Sequence, residues 1–84
     1  MSDTKREVVG VLEGVLNLRG RGLAFDSSTP LLGAVPELDS MAVVAVITAL
    51  EERFAFVVDD DEIDGTTFAT VGTLVTFVER KLAA

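Results

Sequence analysis

Residues 37–54 read Glu-Leu-Asp-Ser-Met-Ala-Val-Val-Ala-Val-Ile-Thr-Ala-Leu-Glu-Glu-Arg-Phe. Val43, Val46, Ile47, Leu50 and Phe54 recur at the three- and four-residue spacing that gathers them on one face of a helix, the face that turns to a core. A helix is therefore expected from Asp39–Ser40 to about Phe54. Asp and Ser are both good caps, so either Asp39 or Ser40 can satisfy a free N–H of the first turn. A serine at that place has a second use. Its hydroxyl is exposed and lies at the positive end of the helix dipole, where an ester-linked phosphate is favoured by the field and by free backbone N–H groups. Asp39 is placed to help hold Mg²⁺ while a group is transferred to its neighbour. On these residues alone, capping and modification both stay open.

Upstream, Val8, Val11, Leu12, Val15 and Leu16 mark a first helix of about four turns, with Ser2, Asp3 and Thr4 as candidate N-caps. It is expected to fade between Asn17 and Gly22, where Gly20 and Gly22 break the pattern. Residues 20–39 carry three glycines, two prolines and the Ser27–Ser28–Thr29 cluster, and read as a long loop. Its Leu23, Phe25, Leu31 and Leu32 are expected to pack over the bundle. Downstream come Phe56, Val57 and Val58, the acidic turn Asp59–Glu62, and a short third helix around Thr66–Thr70. Gly72 separates that from a last helix carrying Leu74, Val75, Phe77, Val78 and Leu82, with Arg80 and Lys81 complementing its dipole. The fold class is all-α: a four-helix bundle with a long loop between helices 1 and 2 and a short third helix, one domain over residues 1–84.

Composition narrows the chemistry. A chain of 84 residues has room for a single small core, and with no Trp, no Tyr and five Phe that core must be largely aliphatic. The absence of Cys and His removes disulfides, thiolate or imidazole metal sites and the usual nucleophile–base pairs. Any reactive group the protein handles is expected to be imported as a cofactor. The polar start at residues 1–9 shows no secretory signal, and no apolar run approaches a membrane span, so a cytoplasmic location is expected.

The net charge is −7, which argues against nucleic acid as a partner. Between residues 37 and 64 nine acidic residues face Arg53 alone, so that stretch carries −8 and the flanks +1. An acidic surface of this kind steers basic partners, or merely keeps the protein soluble.

Several strings, in order, resemble the acyl carrier protein family over nearly the whole chain. They are Leu38–Asp39–Ser40–Met41, matching the family's Asp-Ser-Leu modification motif; Ala49–Leu50–Glu51–Glu52–Arg53–Phe54; the acidic turn from Asp59 to Ile63; and Phe68–Ala69–Thr70–Val71–Gly72–Thr73–Leu74. Residues 31–41 are also similar to free-standing carriers associated with exosortase and exopolysaccharide systems. The resemblance implies that a phosphopantetheinyl transferase moves a 4'-phosphopantetheine arm from coenzyme A onto Ser40, with Asp39 in support. It implies that the arm's thiol carries acyl or aminoacyl groups as thioesters for loading and transfer enzymes with basic docking patches. It further implies a carrier rather than an enzyme, expected to be monomeric.

Fatty-acid-synthesis carriers of that family place several acidic residues soon after the serine. Here Ala42, Ala45 and Thr48 occupy the first turns and are expected on one exposed stripe, with Glu51 and Glu52 acidic further along. Met41, Ala42, Val44, Ala45, Thr48, Glu51 and Glu52 are the candidate docking residues. Alanine is also simply a good helix former. Two other readings fit parts of the chain. Asp60–Asp61–Glu62–Ile63–Asp64–Gly65 mimics the opening of a calcium-binding EF-hand loop, but its twelfth position is Val71, where a bidentate Glu is needed. The rival from another class is an unmodified acidic interaction module docking through helix 2.

Overall fold

The computed structural model describes residues 3–83, with Asp60 described by its backbone only. Among the described residues there are three α-helices and no strand: α1 (Asp3–Leu16), α2 (Ser40–Phe54) and α3 (Val71–Ala83). One-turn 3-10 helices stand at Arg21–Ala24 and Asp60–Glu62. The all-α class and the long loop before helix 2 are as the sequence indicates. Of the candidate caps on the first helix, Asp3 and Thr4 lie inside α1, and Ser2 lies outside the described residues.

The spacing rule explains which side of each helix is covered. Val8, Leu12 and Leu16 of α1, Val46 and Leu50 of α2, and Val71, Leu74, Val75 and Val78 of α3 are buried together. Helix α1 packs against both α2 and α3. An ion pair between Glu7 and Arg53 also ties α1 to α2, with Arg53 Nε donating to Glu7 Oε1 at 2.7 Å. No described helix is long and apolar enough to cross a membrane.

The long loop contributes to the core through Leu18, Leu31, Val35 and Leu38, and Phe25 packs against it. Two of the loop residues expected to pack behave otherwise. Leu23 is 90% exposed and Leu32 48% exposed. The reason for Leu23 is local: Glu13 on α1 accepts from Gly20 N at 3.0 Å and Gly22 N at 2.5 Å, and this holds the 3-10 turn with Leu23 directed outward.

The short third helix expected at Thr66–Thr70 is absent; the segment is a run of turns that forms a strap. Asp64 Oδ1 accepts from Thr66 N at 2.9 Å and from Thr66 Oγ1 at 2.6 Å, an Asx-type turn that competes with helix formation. The carbonyls of Phe68 and Ala69 are then taken by Leu32 N and Leu31 N of the long loop, at 2.9 and 3.0 Å. In return Thr29 O and Ser27 O accept from Val71 N and Gly72 N, the first two amides of α3. The loop thus caps α3 with backbone carbonyls, while Thr70 and Thr73 cap it reciprocally through their side chains. Gly72 is the second residue of α3 rather than a separator before it.

Candidate functional site

The approach to α2 is a chain of tight turns on buried anchors. Val35 N donates to Leu31 O at 2.9 Å, Leu38 N to Val35 O at 3.0 Å, and Asp39 N to Glu37 O at 3.2 Å. Val35 and Leu38 are buried, so the chain leaves the core at a fixed place just before Asp39.

The choice of cap is then decided. Asp39 has extended backbone, its Oδ1 accepts from Ala42 N at 2.8 Å, and its carbonyl accepts from Val43 N at 2.9 Å. It is the N-cap. Ser40 is the first helical residue and is exposed. Its hydroxyl is therefore not spent on capping and stands at the N-terminal end of a fifteen-residue helix. A phosphodiester fits there: the position is open to solvent, and the first-turn amides favour negative charge. Ser27 and Ser28 offer no such setting; Ser28 Oγ is tied to Asp26 Oδ1 at 2.7 Å, and both lie in the loop.

Below Ser40 an exposed stripe runs along α2. Met41 is 81% and Val44 63% exposed, and Ala45, Thr48 and Glu52 follow on the same face. The hydroxyl of Thr48 turns back to Val44 O at 3.0 Å. Two candidates do not join this face. Ala42 is half-buried and packs against the core, because it lies one turn before Val46 on the inward side. Glu51 is half-buried, and its Oε2 accepts from Val58 N at 2.8 Å, fastening the chain after α2. The outward stripe is thus Met41, Val44, Ala45, Thr48 and Glu52.

Ion pairs hold the segments before and after α2. Glu37, three residues before Ser40, pairs with Arg21 of the first 3-10 turn. Its own backbone N–H and the Arg21 guanidinium hold its carboxyl below the ordinary range. At the other end Lys81 Nζ meets both oxygens of Glu62 at 3.0 and 2.9 Å. The backbone N–H of Asp59 and then Lys81 lower the Glu62 carboxyl. No local sequence pattern marks these pairs, whose members lie 16 and 19 residues apart. Among the described residues no group of three or more acidic side chains converges as a metal site. An open groove beside α3, lined by Thr66, Thr70, Thr73, Thr76, Phe77 and Arg80 among others, does not include Ser40.

Comparisons with known proteins cover nearly the whole chain. The family described as "Phosphopantetheine attachment site" matches residues 6–78. The solution NMR structure of a holo acyl carrier protein from Nitrosomonas europaea is 54% identical, with a TM-score of 0.92, covering 99% of this chain and 100% of that one. No curated protein matches the chain.

Proposed function

The chain belongs to the phosphopantetheine attachment-site family of carrier proteins, and we propose that Ser40 is the residue that bears the 4'-phosphopantetheine arm. The observation that carries this reading is the division of labour at the start of α2. Asp39 caps the helix and Ser40 does not, which leaves an exposed hydroxyl at the positive helix end. The donor is coenzyme A and the catalyst a separate phosphopantetheinyl transferase. Once attached, the arm supplies the thiol this Cys-free chain lacks, for acyl or aminoacyl cargo.

On this reading the protein is a carrier that works through partner enzymes rather than a catalyst. The face offered to them is Met41, Val44, Ala45 and Thr48, with Glu52 supplying acidic character for basic docking patches. An apolar, small-contoured stretch next to Ser40 selects partners by close approach, and the single acid further along steers their encounter.

The test is intact mass after incubation with coenzyme A, Mg²⁺ and a broad-specificity transferase. Wild type gains one phosphopantetheinyl group and Ser40→Ala gains none. A Ser40→Ala protein that still gains the mass moves the site elsewhere. A folded wild type that never gains it returns the protein to the rival reading, an unmodified interaction module.

A further inference from the structure

We propose that Arg21, through its ion pair with Glu37, is a positioning residue for the modification of Ser40; this rests on the reading of Ser40 as the attachment residue. Arg21 lies in the long loop, 19 positions before the serine.

The guanidinium makes two contacts at once. Nε donates to Leu18 O at 3.2 Å, and Nη2 pairs with Glu37 Oε2. The Leu18 end is firm, since Leu18 is buried and its amide donates to Glu13 O at 3.2 Å. Glu13 also holds the turn from both sides of Arg21, through the amides of Gly20 and Gly22. Arg21 is thus anchored to the end of α1, and its free arm holds Glu37.

Glu37 in turn is coupled to the cap. Its carbonyl accepts from Asp39 N at 3.2 Å, and Leu38 between them is buried. Glu37 Oε1 is shut off from solvent and has no hydrogen-bond partner among the described residues, so beyond the residue's own backbone N–H the carboxylate is held by Arg21 at Oε2. On this proposal Arg21 adds to the buried anchors Val35 and Leu38 by holding the partly exposed Glu37 corner between them, and with it the precise setting of the Asp39 cap and the Ser40 hydroxyl. Group transfer depends steeply on such orientation. Both side chains of the pair are substantially exposed, 53% and 36%, so the pair adds little to global stability. Positioning is what such a pair can supply.

The experiment measures transferase kinetics with the carrier as varied substrate, for wild type, Arg21→Gln, Glu37→Gln, the double variant and Arg21→Lys, with thermal melts alongside. Positioning lowers kcat by roughly threefold to tenfold in each single variant, with KM nearly unchanged. The double variant is no worse than either single, because both remove one interaction. Arg21→Lys recovers only part of the rate, since an ammonium cannot reach Leu18 O and Glu37 together as the guanidinium fork does.

A purely electrostatic role predicts opposite signs. Arg21→Gln would make the neighbourhood more acidic and speed a basic transferase, Glu37→Gln would slow it, and Lys would restore wild-type rates. Opposite signs, additive effects or unchanged rates overturn the proposal. These failures are distinct from failure of the Ser40 reading, which would appear as a wild type unmodified at Ser40 on mass mapping.

Discussion

The amide of Gly72, second residue of α3, donates to the carbonyl of Ser27 at 2.9 Å, and a Cβ built on Gly72 would lie 2.8 Å from that same oxygen. The long loop therefore seals the start of α3 at a distance only glycine allows. Gly72→Ala pushes Ser27 away and breaks the backbone cap, and we expect a loss of roughly 1 to 3 kcal/mol. Gly10→Ala is the matched control, because Gly10 is exposed within α1 with nothing within 4 Å of its would-be Cβ. It should add about 0.5 to 1 kcal/mol. Thermal melts of the two variants should move in opposite directions; a shift in the same direction would mean the loop yields freely.

Ala55 ends α2 in left-handed backbone, with φ 58 and ψ 45, and its amide returns to Glu51 O. A side chain is strained there and glycine is not. Ala55→Gly should raise stability by about 0.5 to 1 kcal/mol, measured as an increase in the denaturant midpoint at unchanged slope. A destabilised variant would show that the methyl group makes contacts worth more than the strain.

The outward and inward positions at the start of α2 should separate in experiment. Met41→Ser with Val44→Ser changes exposed side chains, so the melt should move by about 0.5 kcal/mol or less. The same variant should slow acyl loading by the native partner. Ala42→Leu should cost about 1 to 3 kcal/mol by overpacking, whereas Ala45→Leu should be close to neutral. Equal melts for the two leucine variants would contradict the inward placement of Ala42.

Acid should loosen the two turns built on Asp26 and Asp64. Each carboxylate accepts from a hydroxyl and an amide two residues on, Ser28 and Thr66 respectively, and each pKa is lowered, chiefly by the hydroxyl. Glu37 and Glu62 are lowered as well. With folded values below the unfolded ones, the unfolded chain binds more protons, so stability falls as pH falls. The loss should begin near the ordinary values of about 3.9 and 4.3 and continue through the lowered ones. Melts from pH 7 to pH 2.5 should be flat above about pH 5 and fall below it, with a shallower fall in Asp26→Asn with Asp64→Asn. A flat profile throughout would mean these carboxylates titrate alike in both states.

Residues within a turn or two of one another were legible in the sequence. The three long helices follow from the spacing of Val8, Leu12 and Leu16, of Val46 and Leu50, and of Leu74 and Val78, since a period of 3.6 is a property of neighbouring positions. The start of α2 was legible for the same reason: an Asp followed by Ser before an apolar stripe specifies a helix mouth, whichever of the two caps it. Periodicity failed where two faces border each other. Ala42 and Val44 are small or aliphatic alike, and only the packing of α2 on α1 sets one half-buried and the other 63% exposed.

By itself, then, the sequence determined an all-α domain with Ser40 opening its second helix, because caps and apolar spacing act over a few residues. The tertiary structure decided that residues 66–70 form a strap and not a helix. The carbonyls of Phe68 and Ala69 have a choice between amides further along their own chain and the amides of Leu31 and Leu32, and the second pairing wins once the long loop is packed beside them. It likewise decided that Arg21 meets Glu37 and Gly72 meets Ser27, contacts between residues 16 and 45 positions apart that exist only after the chain has closed on its core. No local pattern marks such partners, since each is an ordinary surface residue until folding supplies its neighbour.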